Sequence, residues 1–206
     1  MLADLPLAVL ARAPEASRQT SLFSDALALV DRGAADEARA KLRTLLAGEG
    51  HSSRDRLQAC SALRELGEAP DEKLLAPLGI VVEVGLDAGL DLLSVYDDHR
   101  AFYVNHSGRS VDWDRPDGSL DAFAEPVLEA ARALLPRMGT PWKGPKRAPA
   151  VRGHVRLNIV TPAGLRFGEG PHEEMARHPM GGPLLLMATR LMVRLTEVSQ
   201  RCATLQ

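Results

Sequence analysis

The chain has 206 residues, 45% of them hydrophobic and 25% charged, enough apolar side chain for one good-sized core or for a small helical unit joined to a larger domain, and too much for wholesale disorder. Its formal net charge of −2 supplies no global basic field to hold nucleic acid or an anionic membrane. Two cysteines, Cys60 and Cys202, exclude a disulfide framework and a four-ligand structural zinc site, and read as reduced, half-buried thiols of a cytosolic protein.

The opening MLADLPLAVLARAPEAS carries Asp4 early and breaks its apolar run at Pro6, Arg12 and Pro14, so a signal peptide is not expected. Residues 1–76 read as helical. SLFSDALALVDRG sets Leu22, Ala26, Leu29 and Val30 on one face before Gly33, and AADEARAKLRTLLAG sets Ala38, Leu42, Leu45 and Leu46 on another before Gly48. SSRDRLQACSALRELG has Ser52 or Ser53 as N-cap, the stripe Leu57, Cys60, Leu63 and Leu66, and Gly67 as its stop. Through G-x-x-D-E-A-R, the segment from Ala26 to Ala47 resembles one tetratricopeptide unit. A single copy falls short of the three that repeat arrays need, so a small helical bundle is the reading adopted.

The pattern changes at Leu78. Four short runs follow: GIVVEV (79–84), LDLLSVYD (90–97), RAFYVN (100–105) and RSVDWD (109–114). Polar or glycine turns separate them, which predicts an antiparallel meander. The stretch from Tyr103 to Pro116 is therefore a strand, a turn and a strand. Helical period returns at Ser119 with Leu120, Phe123, Ala124, Val127, Leu128, Ala131, Leu134 and Leu135. Pro126 means that this helix either begins near Phe123 or kinks. GTPWKGPKRAP (139–149) is irregular. HVRLNIVTP alternates Val155, Leu157 and Ile159 with His154, Arg156 and Asn158, which predicts a strand with one wet face. AG and LRFGEG complete a second hairpin. A short helix from about Pro171 to His178 precedes a long one from Pro183. The expected fold is thus α+β: a helical region over 1–76, then an α+β domain over 77–206 with about six antiparallel strands in the order ββββ-α-ββ-αα and helices on one face. This layout resembles interaction modules of the roadblock and longin type.

Asn105, His106, Ser107 and Arg109 crowd around Gly108. A Ser–His dyad needs the two side chains to converge, and sequence neighbours in a strand or turn do not. Asn, Ser and Gly are turn chemistry. FGEGPHEEMARH tempts a zinc-protease reading, but His172 and His178 are six residues apart, about 240° around a helix, and do not converge on one metal. Glu174 and His178 have pair spacing. Glu169, Glu173 and Glu174 disfavour phosphate at the GEG loop. Lys143, Lys146, Arg147, Arg152 and Arg156 beside Trp142 read as a solvated loop rather than a nucleic-acid patch. In the last helix Leu184, Ala188, Leu191, Leu195, Val198 and Cys202 form one stripe, which Leu185, Leu186, Met187, Met192 and Val193 widen.

No convergent catalytic set, cofactor motif or metal site emerges. No stretch reaches the roughly 20 apolar residues of a membrane span. Of 25 Lys and Arg only four are Lys, which favours a GC-rich bacterial genome. The leading expectation is a non-catalytic interaction or regulatory module of a bacterial cytoplasm, acting with a protein partner or as a homodimer, with Trp113, Leu185, Met192 and Val193 as its interface. The alternative is a small-molecule binder or enzyme whose pocket near the hairpin ends uses Tyr103, Asn105, His106, Arg109, Asn158 and His172. Nucleic-acid binding through residues 142–156 ranks third.

Overall fold

A computed structural model describes residues 18–47, 51–68, 76–114, 117–144 and 147–204. Residues 1–17, Gly48 and Lys146 lie outside them, and with them the readings of the opening segment, of the second helix stop and of one lysine in the basic run. Two compact units divide the chain: Met1–Leu75 with Pro162–Gly164, and Ala76–Thr161 with Leu165–Gln206.

The first unit holds helices α1 (Arg18–Asp31), α2 (Ala35–Ala47) and α3 (Ser53–Glu65). The third starts where its capping chemistry is complete. Ser52 Oγ accepts from the Asp55 backbone N–H at 3.2 Å, and Asp55 returns the bond to the Ser52 N–H at 3.1 Å, so two otherwise orphaned donors are satisfied reciprocally. The apolar stripes meet in one core of Phe23, Ala26, Leu42, Leu45, Ala59, Ala62 and Leu63. Arg39 donates from Nε and Nη2 to the Leu66 carbonyl, at 3.1 and 2.8 Å, closing the end of α3 against α2. Cys60 of α3 is fully buried, and burial pushes its thiol up to about 11.

The second unit is α+β. Strands β1 (Gly79–Leu86), β2 (Gly89–Tyr96), β3 (Ala101–Val104), β4 (Ser110–Trp113), β5 (His154–Thr161) and β6 (Gly164–Pro171) form one antiparallel sheet in the order β4-β3-β2-β1-β5-β6. Helices α4 (Asp121–Leu134), α5 (His172–Arg177) and α6 (Gly181–Thr204) complete it. The meander runs outward from β1 to β4. The chain then returns through α4 and inserts β5 on the other flank of β1, with Ile80 opposite both Val95 and Ile159. One sheet face carries Ile80, Val82, Leu93, Val95, Ala101, Trp113, Val155, Leu157 and Ile159. These pack with Ala124, Val127, Leu128 and Ala131 of α4 and with Leu184, Ala188, Leu191 and Leu195 of α6. Burying this apolar surface, at about 25 cal/mol per Å², is the main favourable term in the unit.

Pro126 lies inside α4, five residues after its first position. The helix begins at Asp121, two residues before Phe123, so this proline stands beyond the first turn. The GEG glycines sit within β6. Glu174 does not pair with His178. Instead His178 Nδ1 accepts from the N–H groups of Met180 and Gly181, at 3.2 and 3.1 Å, and orders the entry to α6.

One expectation is overturned. The alternate face of β5 is not wet: Arg156 is 4% exposed and Asn158 is also buried. Register places Arg156 opposite Glu83, and Asn158 opposite Val81, so a neutralising carboxylate lies across the strand pair. Residues 147–151 then pass over this face. Gly85 permits the approach, because a Cβ there would stand 2.1 Å from the Val151 carbonyl oxygen.

Candidate functional site

Three places concentrate chemistry in the α+β unit. The first is the β3–β4 turn. Asn105 Oδ1 accepts from Ser107 N–H at 3.1 Å, Ser107 Oγ at 2.8 Å and Arg109 N–H at 3.0 Å. Gly108 takes φ 82°, a conformation that costs a glycine little and other residues more. The side chains therefore build the turn. Asp91 of β2 fastens it: its carboxylate accepts from Tyr103 Oη at 2.8 Å and from the His106 N–H at 2.8 Å, and lies 3.1 Å from His106 Nδ1. Burial first, then the bond to Asp91, pushes the Tyr103 hydroxyl up to about 12, so it stays a neutral donor at physiological pH. The hydroxyl beside the imidazole, Ser107, is turned to Asn105, and His106 is oriented by Asp91.

Of the residues with ligand-binding potential in the sequence, Tyr103, Asn105, His106 and Arg109 share this hairpin. Asn158 does not join them. It lies on β5, three strand spacings from β3 or about 14 Å, and on the opposite face, where its amide donates to Val81 O at 3.2 Å and Glu83 Oε1 at 2.9 Å. His172 opens α5 with an exposed side chain, and its N–H donates to Gly153 O at 2.8 Å.

The second place is that opposite face. Glu83, 2% exposed, receives Arg156 Nη1 at 3.2 Å, Asn158 Nδ2 at 2.9 Å and the Ala150 N–H at 3.0 Å. Arg156 also donates to Ala148 O at 2.6 Å and, through Nε, to Glu169 Oε2 at 3.0 Å. Glu169 takes a further bond from Arg147 Nη2 at 2.9 Å. The Arg156 bond is the largest influence that lowers the Glu169 carboxyl below its ordinary range; burial opposes it and Arg147 assists. Two arginines and two glutamates thus alternate across the face, each charge adjacent to an opposite one. The Trp142 ring meets Phe167 edge-on at 5.7 Å, and the Trp142 backbone N–H donates to Leu165 O at 2.7 Å, which fixes the strap to β6. This changes the reading of the basic run. Arg147 and Arg156 are consumed by internal carboxylates and Arg152 pairs with Asp87, which leaves little free positive charge among the described residues of 142–156 for a phosphate backbone. The signal available in the sequence was Glu83 itself, a lone carboxylate inside the apolar run GIVVEV, since a buried charge requires a partner.

The third place is α6. Leu185 and Met192 are half-buried against the core, and Trp113, 7% exposed, belongs to that core. Val193 faces outward at 46% exposure, and Leu186, one heptad earlier, at 54%. Seven residues bring a helix back to within about 20° of the same direction, so these two share the outer face of α6, with exposed Thr189 and Arg190 between them.

Away from these, His99 holds the β2–β3 turn to α4. It adopts φ 61°, and its ring nitrogens lie 2.6 Å from Asp121 Oδ1 and 3.1 Å from Glu125 Oε2. Among the described residues no group of three His, Cys, Asp or Glu side chains is arranged to hold a metal ion, and no helix is long and apolar enough to cross a membrane. No family model matches the chain, and no curated protein or solved structure matches it.

Proposed function

We propose that this chain is a non-catalytic protein-interaction or regulatory module of a bacterial cytosol, working as a homodimer or with a protein partner through the outer face of α6. The observation that carries the reading is the pair Leu186 and Val193, large apolar side chains left 54% and 46% exposed one heptad apart on the outer face of α6. Covering these side chains removes apolar area from water and favours association. The polar candidates support the same reading, since Asn105, His106 and Tyr103 are engaged in holding a turn. The test is affinity capture from host cells with native mass spectrometry, run on the wild type and on Leu186→Glu/Val193→Glu. A dimer mass or a defined partner that the folded variant loses supports the proposal, and an unchanged mass and partner set overturns it.

A second reading rests on one observation. The exposed His106 ring is oriented through Nδ1 by Asp91, the arrangement that prepares an imidazole to bind a ligand or accept a proton. A monomer carrying a stoichiometric extra mass in the same spectra would place this small-molecule reading first.

A further inference from the structure

The strap between α4 and β5 contains a feature that turn and core chemistry do not require. The guanidinium of Arg147 lies with Cζ 3.9 Å from the Phe167 ring centroid and 5.3 Å from that of Trp142. On its remaining side Nη2 donates to Glu169. Two aromatic rings and one carboxylate around a planar cation are the elements of a cation cage. The cage is built independently of its occupant. Trp142 is held by its backbone bond to Leu165, and its ring lies back over Gly144, where a Cβ would stand 2.3 Å from the indole. Phe167 and Glu169 stand two residues apart on β6. Glu169 is anchored from beneath by the buried Arg156, so its charge and orientation persist when Arg147 is absent.

Arg147 fits this cage imperfectly. Its Nε is buried and bonded to no protein atom. Held by its own backbone, Arg147 stacks on Phe167 and reaches Glu169 through Nη2, while its buried Nε has no acceptor. A guanidinium arriving from outside is free of that constraint and can turn its fork to Glu169. The cage is also reachable, since Trp142 is 41% exposed, and a half-exposed Trp beside a charge is a frequent anchor of protein interfaces.

We infer that Trp142, Phe167 and Glu169 form a binding site for an arginine side chain of a protein partner, and that Arg147 is its internal competitor in the resting chain. This rests on the interaction-module reading and gives that module a chemical specificity: a planar guanidinium in preference to an ammonium, because stacking on Phe167 and the fork geometry both need the planar group. The tethered Arg147 acts at a high effective concentration, so an incoming arginine must compete with it.

The probe is N-acetyl-arginine N′-methylamide, and the readout is the indole N–H resonance of Trp142 in the 15N-labelled full chain, with that of buried Trp113 as internal reference. In Arg147→Ala the Trp142 resonance is expected to move saturably as the probe is added. In the wild type the same shift requires at least about tenfold more probe, the penalty of the tethered competitor. The shift is lost in Arg147→Ala/Glu169→Gln, and the lysine analogue of the probe does not reproduce it. No saturable shift in folded Arg147→Ala overturns the inference, as does a shift that survives Glu169→Gln or that the lysine analogue produces equally. If Arg147→Ala does not fold, Arg147→Lys, which keeps a cation and loses the planar fork, is read by the same criteria. The two proposals fail separately: absent probe binding removes the cage and leaves the α6 face standing, whereas Leu186→Glu/Val193→Glu alters partners and leaves probe binding unchanged.

Discussion

Replacing Arg156 by Met tests the account of the covered sheet face most directly. Met has similar reach and no charge, so the substitution removes the cation and little volume. The Glu83 carboxylate, 2% exposed, is then left with two neutral donors, Asn158 Nδ2 at 2.9 Å and Ala150 N–H at 3.0 Å. At the 3.2 Å separation of Arg156 and Glu83, the gross attraction at an effective dielectric of 20 is about 5 kcal/mol. Both ions were desolvated to make the pair, so the pair itself contributes less than this. Removing one partner, however, strands the other, and that costs about 3–5 kcal/mol. The expected urea midpoint therefore falls by about 1–3 M for an ordinary slope. Tryptophan emission is the suitable probe, because both tryptophans, Trp113 and Trp142, lie in the α+β unit. Adding Glu83→Gln to Arg156→Met should restore part of the loss, since the stranded charge is gone. A loss below about 1 kcal/mol for Arg156→Met, or no recovery in the double variant, would refute the claim that Arg156 neutralises a buried carboxylate.

Two other predictions follow from local geometry. Burial opposes charge on the His99 imidazole, but its bonds to Asp121 and then Glu125 outweigh this and raise its pKa above the ordinary 6.5. The stabilisation from His99 is accordingly full below about pH 6.5 and is lost as pH rises through the folded value; His99→Asn, which tolerates the positive φ, should flatten that part of the melting-temperature profile, and an unchanged profile would show that the clamp is not proton-linked. In Gly85→Ala the new Cβ stands 2.1 Å from the Val151 carbonyl, so the strap must shift; a loss of about 1–3 kcal/mol in the same denaturation assay is expected, and a neutral result would mean that residues 147–151 do not lie against β1 in solution.

What was legible in the sequence was what neighbours along the chain decide. The helices of the first unit follow from 3.6-residue stripes, with a serine cap at Ser52 or Ser53 before the third, and the meander follows from short β-branched runs between turn residues. The β3–β4 turn was readable because Asn105 and Gly108 act within five residues. The opposite face of β5 was not. Alternation marked Arg156 and Asn158 as polar, and polar positions on one side of a strand ordinarily mean water. Their burial depends on Glu83, 73 residues away from Arg156, and on a strap whose proline- and glycine-rich sequence carries no period. Trp113 is different: a tryptophan between two aspartates reads as the one side chain of β4 that packs under a helix, and the pairing Ala101↔Trp113 sets its indole in the core. The outward direction of Val193 and the inward direction of Met192 differ by one residue on a stripe that is apolar nearly all round, and only packing against α4 and the sheet separates them.

Cys60 turns the division of the chain into an experimental convenience. Its thiol is fully enclosed and held up to about 11, so at neutral pH it is both hidden and protonated, and an alkylating reagent must wait for the structure around it to open. In a Cys202→Ser background the alkylation rate becomes a clock for the uncovering of α3. Tryptophan emission keeps separate time for the α+β unit. One unlabelled chain can thereby report whether α3 and the α+β unit open together or each on its own schedule.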